Sequence, residues 1–294
     1  MKKCIIILIA AIALAGCGLI SDGVVLSEIW IEQTGQAERV SEVLPQPLQE
    51  LQQTEPEPPR PAMLTLAVRE GYTLLRIGRT LEEMGVCTAA EFIDAARHGD
   101  FSDFSLVAAQ MPNPNRFFSL EGYLFPGEYE IYPDELPESI IRRMLSETER
   151  AINEDMRRAI YESGYSTDEI LIIASIIQAE SLNDDDFKLL VSSVIHNRLN
   201  TGMMLQMCMT SFYVRDYIVP LLDGGDNPYM EHYNTYFTRA LPAGAIGNPG
   251  INAIRAALNP ADTSYFFYIW DNDDNFHFAV TWEEHLVNVR EYLG

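Results

Sequence analysis

A glutamate stands at the end of an apolar stripe in the segment 166–181. Ile173, Ile176 and Ile177 occupy positions i, i+3 and i+4 of this predicted helical stripe, and Glu180 occupies position i+7. Burial disfavours the charged form of a carboxyl group, so a buried Glu180 has a raised pKa and is able to protonate a leaving glycosidic oxygen. The spacing alone favours an alternative, in which Glu180 lies in the last helical turn and turns its side chain to water, since charged residues are seldom buried without partners.

Two other features resemble metal sites without providing the ligands. The run 271–275 begins like a calcium-binding loop, but Phe276 replaces the glycine at its sixth position and Trp282 the glutamate at its twelfth. The histidines show no H-x-x-x-H spacing, and no cysteine lies in a C-x-x-C pair. We therefore expect no metal and no cofactor.

Several short phrases surround Glu180 in a fixed order. Along the chain they are Glu121–Pro126, Ala174–Ser181, Asn197–Leu199, Gly202–Met203, Leu205–Gln206, Tyr233–Tyr236, Leu241–Gly250 and Ala256–Pro260. Together they resemble the YceG-like family of endolytic peptidoglycan transglycosylases, over about residues 64–294. Several ordered phrases are far more specific than one short motif.

This resemblance implies a reaction and a catalytic residue. In the family, the second acidic position of the Ala-Ser-Ile-x-Glu-x-Glu phrase is the catalytic acid, and here Glu180 holds that position. The implied reaction breaks the MurNAc–GlcNAc bond within a glycan strand, with Glu180 as acid and then as base. Because the C6 hydroxyl of the same MurNAc attacks C1 and gives a 1,6-anhydro end, no second carboxylate is needed.

The resemblance also implies further substrate-binding residues. They are Glu121, Gln206, Asn234, Tyr236, Asn248 and His277. Without the family, the segment 233–236 is better interpreted as a packing turn, and Asn248 as the N-cap of a helix with proline at its first position. His277 alternates with Phe276 and Phe278, so we expect it to face away from them in a strand.

Some positions depart from the family pattern. Gln178 replaces the first acidic residue of the catalytic phrase, Cys208 and Met209 replace an Asp-Pro pair, and Gly127 replaces an aspartate after Phe-Pro. Glu180 is retained, but these changes keep a second function open: a catalytically weak relative that binds peptidoglycan and scaffolds peptidoglycan synthases. A third, a solute-binding lipoprotein, predicts a tight small-molecule ligand.

The elements that must position these residues indicate an α+β fold. The patterns predict a strand at 64–68, helices at 74–84, from 88, at 136–161, 167–181 and 185–199, strands at 264–270 and 276–280, and a helix from 282. The resemblance implies a small LysM-like subdomain followed by a mixed α+β YceG-like catalytic domain. We place the boundary at the Pro/Asn-rich turn that ends at residue 115, which gives domains 63–115 and 116–294.

The N-terminal region predicts export. Residues 1–16 resemble a lipoprotein signal peptide, with cleavage before a lipidated Cys17, although an ordinary secretory signal or an uncleaved anchor stays open. Residues 17–62 read as a flexible Pro/Glu-rich tether to the membrane, and Cys87 and Cys208 could form one disulfide outside the cell. The net charge of -23 argues against nucleic acid as a partner. We expect a lipid-anchored protein that faces the cell wall and acts on peptidoglycan.

Overall fold

The computed structural model describes residues 30–33, 36–39, 62–181, 184–222, 224, 227–273 and 275–294. The chain divides into two compact units, Met1–Pro58 and Pro59–Gly294. In the first unit, strand β1 (Trp30–Gln33) pairs antiparallel with β2 (Gln36–Arg39), within the segment predicted to be a tether. Cys17 and the predicted signal peptide lie outside the described residues, so the lipid anchor stays a prediction.

The second unit begins with a strand and two helices. These elements and the next are β3 (Leu64–Val68), α1 (Leu74–Glu83), α2 (Ala89–His98), α3 (Ser105–Ala108) and β4 (Gly127–Ile131). Thr88 and Glu91 form the expected capping box at the start of α2. β3 pairs antiparallel with β4, so that Leu64 lies opposite Ile131. The partner of β3 therefore comes from beyond residue 115, and the boundary placed there, like the LysM-like character of 63–115, stays a prediction.

A helical region follows. Its elements are α4 (Pro137–Ala151), α5 (Glu154–Ser163), α6 (Thr167–Glu180), α7 (Asp185–Asn200), α8 (Cys208–Tyr213), a π-helical turn (Val214–Ile218), a 3-10 turn (Val219–Leu221), α9 (Met230–Tyr233) and α10 (Ile251–Leu258). The prediction of one helix over 136–161 is wrong. The helix breaks at Ile152, and Asn153 caps α5 by accepting a hydrogen bond from the N–H of Met156.

Helix α6 lies at the centre of the second unit. It begins at the predicted capping box of Ser166 and Glu169, and it packs against α5, α7, α8 and α10. Every residue of the segment 170–178 is buried, so the helix is enclosed on all sides rather than along one face. Glu180 is the last residue of this helix, so its side chain extends from the buried core of the unit.

The chain ends in a hairpin and a helix. Strand β5 (Phe267–Trp270) pairs antiparallel with β6 (Phe276–Ala279), and α11 (Trp282–Asn288) packs against both strands before a last π-helical turn (Val289–Leu293). The predicted α+β fold class is thus confirmed, with small two-stranded sheets among many helices. Within the described part of the chain, no helix is long and apolar enough to cross a bilayer.

Candidate active site

Glu180 is buried at the C-terminal end of α6, with 4% of its surface exposed. The hydroxyl of Tyr268 in β5 donates a hydrogen bond of 2.9 Å to its Oε2 atom. The other oxygen, Oε1, is shielded from solvent and has no hydrogen-bond partner among the described residues. The alternative in which Glu180 turns to water is therefore wrong.

The surroundings of Glu180 favour a protonated carboxyl group. Burial raises its pKa above the ordinary value for glutamate, while the Tyr268 hydroxyl and the backbone N–H of Met209 favour the charged form and oppose the rise. Burial and the nearby carboxylate raise the pKa of Tyr268 well above that of an ordinary tyrosine, so its hydroxyl stays a donor. Glu180 is thus a buried acid with one oxygen fixed and the other unpaired.

Arg198 binds two backbone segments beside the Glu180–Tyr268 pair. It is buried in α7, and its guanidinium donates to the carbonyl oxygens of Phe266, at 2.6 Å, and Leu205, at 2.5 Å. Burial lowers the pKa of Arg198. These bonds attach the chain before β5 to the loop that precedes α8. The sequence included Arg198 in a family phrase without giving it a role.

Three of the predicted binding residues lie in the loops near Glu180. Gln206 has a left-handed φ of 53°, and its N–H donates to the carbonyl oxygen of Thr235 at 3.0 Å. Asn234 accepts a 3.0 Å hydrogen bond from the N–H of Tyr236, as in an Asx turn, and its substrate-binding role stays a prediction. Tyr236 is 45% exposed, and burial together with negative charge nearby, including that of Glu180, raises its pKa.

Glu121 lies in the interior rather than on an open surface, with 1% of its surface exposed. It accepts hydrogen bonds from the N–H of Leu74 at 3.1 Å, the hydroxyl of Tyr213 at 2.8 Å and the side-chain amide of Asn248 at 3.2 Å. Burial raises its pKa to about 8, although the Tyr213 and Leu74 donors oppose the rise. The carboxyl group therefore connects the start of α1 to α8 and to the loop before α10.

Asn248 completes this buried network. Its Oδ1 atom accepts hydrogen bonds from the N–H groups of Gly122, at 3.0 Å, and Leu124, at 2.8 Å. The prediction that Asn248 caps the following helix is wrong, because Gly250 is the N-cap of α10 and the Asn248 side chain is used in the network. For Glu121 and Asn248, direct binding of substrate stays a prediction.

His277 lies on the other face of the hairpin from Tyr268. Its Nε2 atom is 2.8 Å from a carboxylate oxygen of Asp271, and its ring stacks on Tyr292 with 3.5 Å between centroids. Phe276 and Phe278 instead contact the ring of Tyr268, which confirms the predicted alternation. A substrate-binding role for His277 stays a prediction.

Sequence reasoning missed the contacts that join α6 to the loop before α10. The Gln178 side-chain oxygen accepts a 3.1 Å hydrogen bond from the N–H of Gly250, and the Ser175 hydroxyl accepts one from Ile246. The departure at Gln178 is therefore compatible with this fold, because an amide oxygen accepts the bond as a carboxylate would. The sequence signal was Gln178 itself, a polar residue on a helix predicted to be strongly apolar.

Other predictions about the site have different outcomes. Cys87 and Cys208 are free thiols, so the possible disulfide is not formed. Among the described residues, no group of three or more potential metal ligands is found, and the expected absence of a metal stays a prediction.

Tyr268 had no recognisable signal in the sequence, because nothing in a short aromatic strand connects it to a glutamate 88 residues earlier.

Comparison with known proteins supports the family assignment. The YceG-like family profile matches residues 37–291. An endolytic murein transglycosylase of Streptococcus pneumoniae is 28% identical over 258 residues, which are 81% of this chain and 46% of that protein. One from Bacillus subtilis is 31% identical over 183 residues, or 62% of this chain and 50% of that protein. The chain thus spans about half the length of the curated relatives it matches.

A solved structure shares the fold. The crystal structure of a YceG-like protein from Listeria monocytogenes has a TM-score of 0.65 and 28% sequence identity to this chain. The similarity covers 78% of this chain and 76% of that one. With a family profile that matches most of its length and a structural relative of the same description, this chain belongs to the YceG-like family.

Proposed function

We propose that the protein is an endolytic murein transglycosylase that cuts MurNAc–GlcNAc bonds within peptidoglycan strands. The observation that carries the proposal is Glu180, a buried carboxyl group whose Oε2 is held by Tyr268 and whose Oε1 is unpaired among the described residues. The names of the curated relatives from Streptococcus pneumoniae and Bacillus subtilis support it.

The proposed reaction uses Glu180 twice. Its carboxyl proton passes to the glycosidic oxygen as the bond from MurNAc C1 to that oxygen breaks, and C1 develops oxocarbenium character. The C6 hydroxyl oxygen of the same sugar then bonds to C1, and its proton returns to Glu180. The product end is 1,6-anhydroMurNAc, and the acid is regenerated without a second carboxylate.

The raised pKa of Glu180 supports the first step, because the group must carry a proton before the bond breaks. The shielding of Oε1 supports the second, since water excluded from the acid cannot compete with the C6 hydroxyl. A glycan oxygen reaches Oε1 only if the side chains around it move apart.

The remaining roles are proposals that follow from this reaction. Tyr236 is exposed near Glu180 and suits direct contact with a sugar. Gln206 and Asn234 shape the loops beside it, whereas Glu121 and Asn248 support the neighbouring loop from inside. In the cell, we propose a place facing the wall, a lipid anchor at Cys17 and peptidoglycan synthases as partners.

The test is mass spectrometry of purified glycan strands incubated with the full chain and with its Glu180→Gln variant. We expect 1,6-anhydro ends that decrease by about 10²-fold to 10⁴-fold in the variant, the range for loss of a general acid. Glu162→Gln, at an exposed position on α5, is the matched control and should cleave normally.

Other outcomes would change the proposal in distinct ways. Hydrolytic reducing ends would keep Glu180 as the acid but refute capture by the C6 hydroxyl. Folded protein that binds glycan without cutting it would favour the alternative of a peptidoglycan-binding scaffold. Normal cleavage by Glu180→Gln would refute Glu180 as the acid.

A further inference from the structure

The two oxygens of Glu180 have different environments. Oε2 receives the Tyr268 hydroxyl at 2.9 Å, whereas Oε1 is enclosed and unpaired among the described residues. A carboxyl group without such a bond can rotate about its terminal torsion, so either oxygen could face a substrate. The hydrogen bond removes this ambiguity.

Tyr268 has one proton to donate. Its oxygen also lies 3.1 Å from the sulfur of Met207, but a thioether is a weak acceptor and a carboxylate a strong one. The hydroxyl proton is therefore directed at Glu180, and the contact with Met207 is mainly packing.

Neighbouring residues fix the position of Tyr268 itself. Its ring packs against Phe276 and Phe278 of the paired strand. Arg198 holds the carbonyl oxygen of Phe266, two residues before Tyr268, and that of Leu205, two residues before Met207. Arg198 therefore fixes the backbone segments that carry Tyr268 and Met207, and the Tyr268 hydroxyl reaches Glu180 from one of these fixed segments.

We propose that Tyr268 is a positioning residue for Glu180, which holds Oε2 by a hydrogen bond and so leaves Oε1 as the oxygen that exchanges a proton with the glycan. This inference rests on the proposed function. A phenylalanine would fill the same space in the aromatic cluster, so the hydroxyl is required for the bond to Glu180 and not for packing.

The same bond contributes to the acidity of Glu180, as the backbone N–H of Met209 also does. Burial raises the pKa of the carboxyl group, and the hydroxyl limits this rise by stabilising the carboxylate that remains after the proton has left. The other titratable groups around the pair are Arg198 of α7, Cys208 of α8 and Tyr236. Loss of the hydroxyl should therefore raise the pKa of Glu180 further.

The test measures this titration directly, in full chains that carry ¹³C-carboxyl-labelled glutamate. The Glu180 resonance is identified by its absence from Glu180→Gln, and we expect Tyr268→Phe to move its midpoint upward by about one pH unit. Tyr265→Phe is the matched control: its ring also packs on Phe278, and no bond from its hydroxyl to Glu180 is observed. Its midpoint should equal that of the unaltered chain.

Cleavage assays on the same proteins separate the inference from the proposed function. In Tyr268→Phe the alkaline limb of the kcat/KM profile should move upward with the midpoint, and kcat should fall, whereas a purely structural role would leave the limb in place. If Glu180→Gln is inactive but neither the midpoint nor the limb moves in Tyr268→Phe, only this inference is overturned. If Glu180→Gln cleaves normally, the proposed function fails and the inference with it.

Discussion

Two buried glutamates, Glu121 and Glu180, occupy contrasting sites in the same unit. Each is almost inaccessible to solvent, each has a raised pKa caused first by burial, and each accepts a hydrogen bond from a tyrosine. Glu121 also accepts hydrogen bonds from Leu74 and Asn248, so both of its oxygens are occupied. Glu180 keeps Oε1 unpaired among the described residues.

A raised pKa therefore does not by itself identify a catalytic acid. The carboxyl group of Glu121 lies within a network whose donors come from three parts of the chain, so a change in its protonation would disturb that network. Glu180 has an oxygen without a partner among the described residues. This contrast supports the proposed chemical role of Glu180 and a structural role for Glu121.

The largest stability effect should come from removing the Glu121 carboxyl group. In Glu121→Ala, three buried donors lose their acceptor, so we expect the free energy of unfolding to fall by about 3–5 kcal/mol. Glu180→Ala removes the acceptor of the Tyr268 hydroxyl and the weaker interaction with the Met209 N–H, and it should cost about 2 kcal/mol less. Urea unfolding of both variants measures this, and equal losses would break the contrast between the two sites.

An effect of similar size should appear in the pH dependence of stability. The pKa of Glu121 is about 8 in the folded chain against an ordinary value of 4.5, so the folded state binds more protons between these values. The stabilisation is complete below pH 4.5 and is lost as the pH rises through 8, a loss on the order of a few kcal/mol.

Urea unfolding at several pH values between 5 and 9 tests this slope. Glu121→Gln cannot titrate at this position, so its stability should fall less steeply over the same range. Identical slopes for the variant and the unaltered chain would show that Glu121 does not carry the effect. Glu180 has a pKa raised in the same direction and should account for part of the slope that remains.

The smallest effect should come from Tyr213→Phe, which removes one donor from Glu121. We expect a loss of about 1 kcal/mol in unfolding free energy and normal glycan cleavage. Tyr217→Phe, on the neighbouring ring that stacks with Tyr213, is the matched control and should change neither property. If Tyr213→Phe instead shifted the pH profile of cleavage as Tyr268→Phe is expected to, the two glutamates would not be functionally distinct.

The sequence predicted part of this arrangement because helical periodicity is local. The stripe of Ile173, Ile176 and Glu180 pointed to α6, but its spacing alone favoured a solvent-facing Glu180, and the family phrases indicated the buried acid that the enclosed helix holds. The break at Ile152 was missed because an amphipathic pattern continues across it, and only the capping role of Asn153 marks the new helix.

The contacts of the site could not be predicted in this way, because they join distant segments. The proline after Asn248 predicts a helix cap, but the Asn248 side chain accepts hydrogen bonds from the backbone N–H groups of Gly122 and Leu124. Tyr268 meets Glu180 only because Arg198 and the paired strands bring β5 to the end of α6. No local sequence pattern indicates the contacts of Asn248 or the hydrogen bond from Tyr268 to Glu180.

The long-range pairing of the chain also has a consequence for how it folds during synthesis. β3 can pair only after β4 has been synthesised. Glu180 is separated from Tyr268 by 88 residues, and the Asn248 side chain donates to the carbonyl oxygen of Tyr72 across 176 residues. Contacts between distant segments form slowly, because a long loop must close before any bond is gained. A nascent chain can therefore contain Glu180 long before it contains the residues that surround it, and the site cannot form until β5 has been synthesised.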